Sequence, residues 1–334
     1  MNKALEREYR DLCTVIDWSQ GKKLEKEWVK SDILKTLKRC GYLDTSAWPP
    51  DFKWNLVSAR LRNGRFDNWD GWEFRGDFAA TFHYRTFATP KWMGQEITRP
   101  LGLKVCGEQG IGDEILFLSA LSDLMWRIGK NFEVYCHPRL IPILERSFRI
   151  KASGRPGSLA DVDGEYMCLL GDLLRWYRRH KSHFPGKPFL KPDAEKTAYW
   201  RQWLGPGRHI GYAWKSRHGC IDPESIRKTE AGSEARYWCL QYDIQAPDTP
   251  PFDVKNDLEN LFAFVSALDK VVSVTQTLVH VAGSVGTECH AIEPPRGTGE
   301  VDAYLWYYGN GGPHPVYGSV TVYRSIHDWR SRRN

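Results

Sequence analysis

The chain has 334 residues, a formal net charge of +6 and 41% hydrophobic residues, enough for one large domain or two smaller ones. No run approaches the ~20 apolar residues that cross a bilayer, and the charged segment from Met1 to Glu8 is not a signal peptide, so we expect a cytoplasmic protein without a membrane span. The eight cysteines contain no C-x-x-C pair, which predicts reduced thiols rather than disulfides or a metal site.

The first segment, residues 1–95, is predicted to be helical. Apolar side chains recur there at spacings of three and four residues, for example at Leu5, Tyr9, Leu12 and Ile16. After a break at 44–50, a helical hairpin is predicted, with a turn at 63–65. Its two helices carry the apolar positions Trp54, Val57 and Leu61, and Phe66, Trp69, Trp72 and Phe74. A small α-helical segment of this kind could dock a protein partner.

Residues 96–192 alternate between short apolar runs and amphipathic runs, which predicts a parallel sheet with crossover helices. The strands are predicted near 101–107, 132–136 and 167–170, and the helices near 113–128 and 138–147. The prolines of 187–192 cannot continue a helix or an inner strand and therefore predict a linker.

A second alternating block, residues 193–310, follows the linker. Its helices are predicted at 194–204, at 258–268 and from 277 onwards, and its strands at 209–214, 237–241, 270–274 and 289–292. Two such blocks predict an α/β protein with two Rossmann-like domains. Residues 311–334 form a tail that we expect to pack back on the N-terminal domain.

Two strand–helix junctions stand out, at 103–117 and at 271–283. In each, an apolar strand ends in small or polar residues and a helix follows. Helix N-termini bind anions through their unpaired N–H groups and dipole. Two such termini facing one another predict a cleft that suits a phosphate-bearing ligand.

The first junction, Gly107-Glu108-Gln109-Gly110-Ile111-Gly112-Asp113, resembles the E-Q-G-x-G-D motif of bacterial tetratricopeptide-linked glycosyltransferase-like proteins. These are relatives of the ADP-heptose:lipopolysaccharide heptosyltransferases. Other elements resembling the family occur in the family's order over roughly residues 50–329. Upstream of the junction are a last tetratricopeptide helix pair at 55–75 and P-x-W-x-G at 90–94. Downstream are a V-G-L-x-W-like strand at 210–216, S-L-Q at 239–241, V-S-V-D-T-x-x-x-H-L-A-G-x-x-G at 272–286, and a W…W-Y-P-like ending at Trp306 and 315–317.

The resemblance implies a GT-B fold, in which two Rossmann-like domains face each other across a cleft. The C-terminal domain would hold a nucleotide-diphosphate-sugar donor. Such enzymes generally need no metal or other cofactor. The implied activity is the transfer of a hexose- or heptose-like sugar to an acceptor hydroxyl, with inversion.

In the first junction, the matching family aspartate is a general base, so the resemblance assigns that role to Asp113. The structural alternative is an acidic residue that complements the helix dipole. Glu108 is a second catalytic candidate, for which a structural hydrogen bond is an equal alternative. Gly110 and Gly112 are predicted to let the backbone approach a ligand closely, whereas Gly283 is predicted to permit close helix–sheet packing.

In the second junction, Thr275, Gln276 and Thr277 are predicted to cradle the donor diphosphate with backbone N–H groups. The chain departs here from the family pattern, since Thr275 replaces an aspartate and Gln276 a threonine. His280 is predicted to contact phosphate or donor, with a buried core residue as the alternative. Lys215 would neutralise the leaving diphosphate.

Gln241 is the last residue of a predicted strand, and its amide could read a nucleobase. A saccharide, a protein and a modified DNA base are all compatible with the sequence as the acceptor. The alternative to a transferase is a non-catalytic nucleotide-binding or scaffold module that retains the fold. A dehydrogenase is disfavoured, because no G-x-G-x-x-G with a following acidic strand end is present.

Overall fold

The computed structural model describes most of the chain beyond residue 49. The described ranges are 50–67, 69, 71–74, 89–157, 162–217, 219–230, 234–244, 246–295 and 311–332. The helices predicted within 1–49 and the motif residue Trp306 lie outside the described residues. Among the helices in these ranges, none combines the length and the apolar character needed to cross a membrane.

The first of two sheets has four parallel strands in the order β3-β2-β1-β4. These strands are β1 (Leu103–Cys106), β2 (Phe132–Cys136), β3 (Lys151–Gly154) and β4 (Tyr166–Leu169). The accompanying helices are α1 (Pro50–Arg62), α2 (Ile111–Phe117), α3 (Leu121–Ile128), α4 (Ile141–Phe148) and α5 (Asp172–Tyr177). Strand β1 is buried along its whole length, as expected for an inner parallel strand covered on both faces.

The second sheet has six strands in the order β11-β12-β10-β9-β5-β8, and only β11 runs antiparallel. Its strands are β5 (Arg208–Ala213), β8 (Ala235–Cys239), β9 (Lys270–Val274), β10 (Glu288–Ile292), β11 (Gly312–Pro313) and β12 (Val320–Tyr323). A separate hairpin joins β6 (Lys215–Ser216) to β7 (Gly219–Cys220). The helices are α6 (Ala194–Leu204), α7 (Pro223–Glu230), α8 (Leu258–Ala267), α9 (Thr277–Val285) and α10 (Ile326–Ser331).

The two sheets, parallel except for β11, and their helices confirm the predicted α/β class with two Rossmann-like domains. The domains meet through α2 and α9, whose first turns pack against each other. On another side, Arg146 of α4 forms a bidentate ion pair with Glu259 of α8, at N–O distances of 2.8 and 2.9 Å. The packing of α2 on α9 brings the carboxyl ends of β1 and β9 to the same cleft.

The predicted helical hairpin after residue 50 is only partly formed. Helix α1 is present, but the described residues of 65–71 are not helical and only a short 3₁₀ turn, Trp72–Phe74, follows. Gly71 has a φ of +97°, which a right-handed helix does not allow. The indole of Trp72 donates to the carbonyl of Gly171 at 3.0 Å. The second helix was therefore wrongly predicted over these residues, because a long-range anchor and a left-handed glycine override the apolar spacing.

Residues 311–332 of the tail add to the second sheet and also touch the end of the first block, where the Gly318 N–H donates to the Gly186 carbonyl at 3.0 Å. Strand β12 pairs in parallel with β10, with Val322 opposite Ala291, and β11 pairs with β12. Trp329 of α10 donates to His290 Nδ1 at 2.8 Å. The tail completes the second sheet because the open edge of β10 offers a row of backbone hydrogen-bonding groups.

Candidate functional site

A buried carboxylate holds the loop after β1. Glu114 is fully buried and accepts hydrogen bonds from Arg155 Nε at 2.8 Å and from the His137 N–H at 2.9 Å. Burial raises the pKa of Glu114 to about 7, against the opposing charge of Arg155. Arg155 also donates to the carbonyl oxygen of Gln109 at 3.0 Å. Glu114 and Arg155 thus position the loop that carries the first candidate residues.

Gln109, at the tip of this loop, has a φ of +60°. Non-glycine residues rarely adopt this left-handed conformation, which costs free energy and often occurs at functional sites. The hydrogen bond from Arg155 to the Gln109 carbonyl holds the conformation in place. Gln109 is therefore a strained residue at the mouth of the cleft.

Asp113 lies in the first turn of α2, and its Oδ2 accepts a hydrogen bond from the N–H of Gly110 at 3.1 Å. This is half of a capping box. The geometry matches the helix-terminal interpretation and places the half-buried carboxylate at the cleft. Gly110 acts here as the N-cap residue.

Glu108 is buried, and its Oε1 accepts the N–H of Gly171 at 3.0 Å, just before α5 begins. The structure shows the hydrogen-bonding role that was the alternative for this residue. Glu108 therefore ties the end of β1 to the start of α5, beside the same cleft.

Some polar groups of the second junction already form hydrogen bonds within the protein. The N–H of Thr275 donates to the Ile292 carbonyl at 3.2 Å, so it belongs to the sheet rather than to an anion cradle. Gln276 is the N-cap of α9, and its Nε2 donates to Ser273 Oγ at 3.3 Å. Thr277 is half-buried at the first position of α9. Because the Val279 N–H already donates to the Gln276 carbonyl at 3.1 Å, the N–H groups of Thr277 and Leu278 are what the first turn of α9 can offer to an anion.

His280 lies inside the contact between the domains. Its Nδ1 is 3.1 Å from the hydroxyl oxygen of Tyr317, and the side chain is buried. Burial lowers the pKa of His280 to about 3, so the imidazole is neutral at pH 7. These surroundings fit the alternative interpretation of a core residue, since a neutral and enclosed imidazole does not neutralise a phosphate.

The two glycines of the helices serve packing between elements. A Cβ atom at Gly112 would lie 2.9 Å from His280 Cδ2 and 3.3 Å from Thr277 Oγ1. At Gly112, the close approach is made by the partner helix α9. The ring of Tyr317 lies where a Cβ atom at Gly283 would be. Glycine at this position therefore allows the ring to pack against the helix.

Gln241 is buried at the end of β8, and its Oε1 accepts two backbone N–H groups, from Trp214 at 3.1 Å and from Lys215 at 2.9 Å. The acceptor oxygen of Gln241 is thus used by the protein backbone and not by a nucleobase. Gln241 instead holds the start of the β6–β7 hairpin. That hairpin presents the exposed side chain of Lys215.

Strand order brings part of the predicted set to one edge. Because β8, β5 and β9 are neighbours, their carboxyl ends place Gln241, Lys215 and Thr275 along the same side of the cleft. The contact of α2 with α9 adds Asp113 from the other domain. Within the described residues, no group of three or more histidine, cysteine, aspartate or glutamate side chains is arranged to hold a metal ion.

Three positioning residues had no role in the sequence interpretation. Glu114 and Arg155 hold the first loop, and Arg62 of α1 donates to both carboxylate oxygens of Glu293, at 2.9 and 3.2 Å, after β10. The signal for Glu114 was an acid within an apolar helical run, next to Ile115. The partners Arg155 and Arg62 are distant in sequence and left no local signal.

Comparisons with known proteins were made at the levels of sequence and structure. No protein-family model matches the chain. The protein FlbA of Caulobacter vibrioides is 27% identical over 264 residues, and the match covers 66% of this chain and 44% of FlbA. The chain thus spans less than half the length of this curated relative.

Among solved structures, ADP-heptose lps heptosyltransferase II of E. coli is 11% identical with a TM-score of 0.45, over 69% of this chain and 96% of that one. The glycosyl transferase family 9 protein of Veillonella parvula DSM 2008 is 12% identical with a TM-score of 0.47, over 72% and 93%. The dodecameric glycosyltransferase TibC of enterotoxigenic E. coli H10407 is 12% identical with a TM-score of 0.42, over 70% and 69%. The case for a function rests on the residues of the cleft.

Proposed function

We propose that this protein transfers a sugar from a nucleotide-diphosphate donor to an acceptor hydroxyl, without a metal and with inversion at the anomeric carbon. The observation that carries the proposal is the meeting of two strand–helix junctions across the cleft, with Gly112 of α2 against Thr277 of α9. One junction supplies a carboxylate and the other a helix N-terminus. These are the two groups that a displacement with a diphosphate leaving group requires.

In the proposed reaction, the acceptor oxygen attacks the anomeric carbon and its proton passes to the carboxylate of Asp113. The new carbon–oxygen bond forms as the bond between the anomeric carbon and the diphosphate oxygen breaks. The electron pair of the broken bond stays on the diphosphate. A single displacement of this kind inverts the configuration. The hydrogen bond from the Gly110 N–H orients the Asp113 carboxylate for proton transfer.

The leaving diphosphate gains negative charge as it departs. The N–H groups of Thr277 and Leu278, in the first turn of α9, and the exposed ammonium group of Lys215 can offset that charge. The hydrogen bonds from the Trp214 and Lys215 N–H groups to Gln241 fix the backbone from which the Lys215 side chain extends. In this scheme Gln241 is a positioning residue.

A second candidate, a non-catalytic nucleotide-binding or scaffold module, is favoured by one specific observation. Several of the candidate groups already serve the protein itself, because Asp113 caps α2, Glu108 holds Gly171 and His280 is enclosed between the helices. This alternative keeps the helix N-terminus of α9 as an anion site but assigns no proton transfer to Asp113.

A thermal-shift screen against nucleoside diphosphates and nucleotide sugars, followed by an assay of released nucleoside diphosphate, separates the two candidates. We expect one nucleotide family to stabilise the wild type, with the shift reduced in Lys215→Ala and retained in Asp113→Asn. Transfer should fall at least about 100-fold in Asp113→Asn, as when a general base is lost.

The matched controls are Asp257→Asn, which removes the helix-capping carboxylate of α8 that accepts the Asn260 N–H at 3.0 Å, and Lys228→Ala on the surface of α7. Both should transfer at the wild-type rate. Nucleotide binding with no transfer to any acceptor would favour the scaffold module. No shift with any nucleotide would contradict both candidates.

A further inference from the structure

A groove lies over the junction of α3, the end of α4 and the interdomain linker. It consists of two adjoining cavities of about 460 and 660 Å³ that share Ser122, Pro188 and Phe189. Each volume is in the range of pockets that hold organic groups, about 300–1,000 Å³. Ser122 lies nine residues after Asp113 on a nearly continuous helical run, so the groove begins about 14 Å along that axis. This α3–linker groove is therefore separate from the cleft.

The groove carries one highly exposed aromatic side chain. The side chain of Trp126, which lines the first cavity, is 90% exposed. The half-buried Phe189 lines both cavities, and the buried Phe148 lines the second one. Exposed tryptophan next to apolar pockets is typical of interaction sites, where buried aromatic anchors carry much of the binding free energy.

The charges around the groove are mostly positive. Lys187 borders the first cavity, and Lys130, Arg149 and Lys191 border the second one, and all four side chains are exposed. The acidic lining residue, Asp123, is already paired with Arg178 at 2.8 Å. The electrostatic potential of the groove therefore complements a negatively charged partner.

We propose that the α3–linker groove binds an acidic segment of a partner polypeptide, with two apolar side chains in the cavities and carboxylates against the basic rim. Two adjoining cavities, each lined in part by apolar side chains and bordered by cations, match such a segment. In an extended segment, side chains two residues apart point to the same face and lie about 7 Å from each other. A nucleic acid or an anionic polysaccharide would use the cations but leave the apolar parts of the cavities without a complementary group.

The test is fluorescence anisotropy with the full chain and a fluorescein-labelled dodecapeptide in which Leu and Phe alternate with Asp and Glu. We expect saturable binding that weakens between 50 and 300 mM NaCl, because salt screens exposed charges. Binding should weaken at least about tenfold in Trp126→Ala and at least about fivefold in the double variant Lys187→Glu/Lys191→Glu.

Matched controls are Trp203→Ala, which removes a 40% exposed tryptophan of α6 outside the groove, and Lys228→Glu. Both should bind the acidic peptide as the wild type does, and circular dichroism melting confirms that each variant is folded. A peptide with Lys in place of Asp and Glu should not bind.

Lack of saturable binding, or equal affinity in the groove and control variants, would overturn the proposal. So would tighter binding of labelled heparin or of a single-stranded oligonucleotide that depends on the same residues, since the groove would then serve a different class of polyanion.

Discussion

The Nδ1 atom of His280, on α9, lies 3.1 Å from the hydroxyl oxygen of Tyr317, which belongs to the loop between β11 and β12. This hydrogen bond joins the helix that begins at the candidate diphosphate site to the C-terminal part of the chain. Tyr317 also fills the space over Gly283. The buried polar pair of His280 and Tyr317 thus holds α9 against the β11–β12 loop.

Burial of His280 predicts a loss of stability in acid. Its pKa in the folded protein is about 3, below the ordinary value of 6.5, so between these values the unfolded chain binds a proton that the folded chain does not. Stability should rise with pH from about 3 to 6.5 and then level off, by up to about 1.4 kcal/mol per pH unit for this one group. His314, whose pKa burial also lowers, acts in the same direction.

The measurement is urea denaturation of the wild type and His280→Asn between pH 5 and 8. Asparagine keeps a polar group near Tyr317 but does not titrate, so the variant should show a smaller slope below pH 6.5. Equal slopes in the two proteins would contradict the assignment.

A methyl group at Gly112 should separate the domains. In Gly112→Ala the new Cβ would lie 2.9 Å from His280 Cδ2, so α2 and α9 must move apart, at a cost of about 1–3 kcal/mol. Denaturation midpoints measure the loss, and nucleotide binding should weaken with it. Gly157→Ala is the control, because no atom lies within 4 Å of a Cβ built there.

Arg62 and Glu293 should act as one unit. Their side chains are each only 10% exposed, and the pair joins α1 to the end of β10. We expect Arg62→Met, Glu293→Gln and the double variant to lower the melting temperature by similar amounts. The corresponding coupling free energy is about 0.5–3 kcal/mol. Additive losses in the double variant would show that the two side chains act independently.

Replacement of Gln241 separates its structural role from nucleobase recognition. Gln241→Leu leaves the N–H groups of Trp214 and Lys215 without their acceptor and should cost about 1–3 kcal/mol. Gln241→Glu keeps an acceptor oxygen and should be close to the wild type in stability. If Gln241→Glu keeps its stability and also loses discrimination among nucleobases in the thermal-shift screen, the amide reads the base as well.

Much of the fold could be predicted from local pattern. The strands β1 and β9 are short apolar runs that end in small or polar residues, and such runs with amphipathic segments between them specify parallel α/β units. The position of Asp113 at the start of a helix follows from the same pattern. The roles of single residues were harder to predict from local pattern. Gln241 and Gly112, for example, each contact residues that lie far away in the sequence.

Local sequence pattern is sufficient for the α/β class, the two junctions and the residue types that they carry, since these depend on the spacing of apolar side chains and on glycine, proline and capping residues over a few positions. Three features become evident only in the folded chain. Helix α2 packs on α9, β12 joins the edge of β10, and Trp72 anchors an irregular segment where a helix was expected. Those outcomes depend on shape complementarity and hydrogen bonding between distant segments, which no local periodicity encodes.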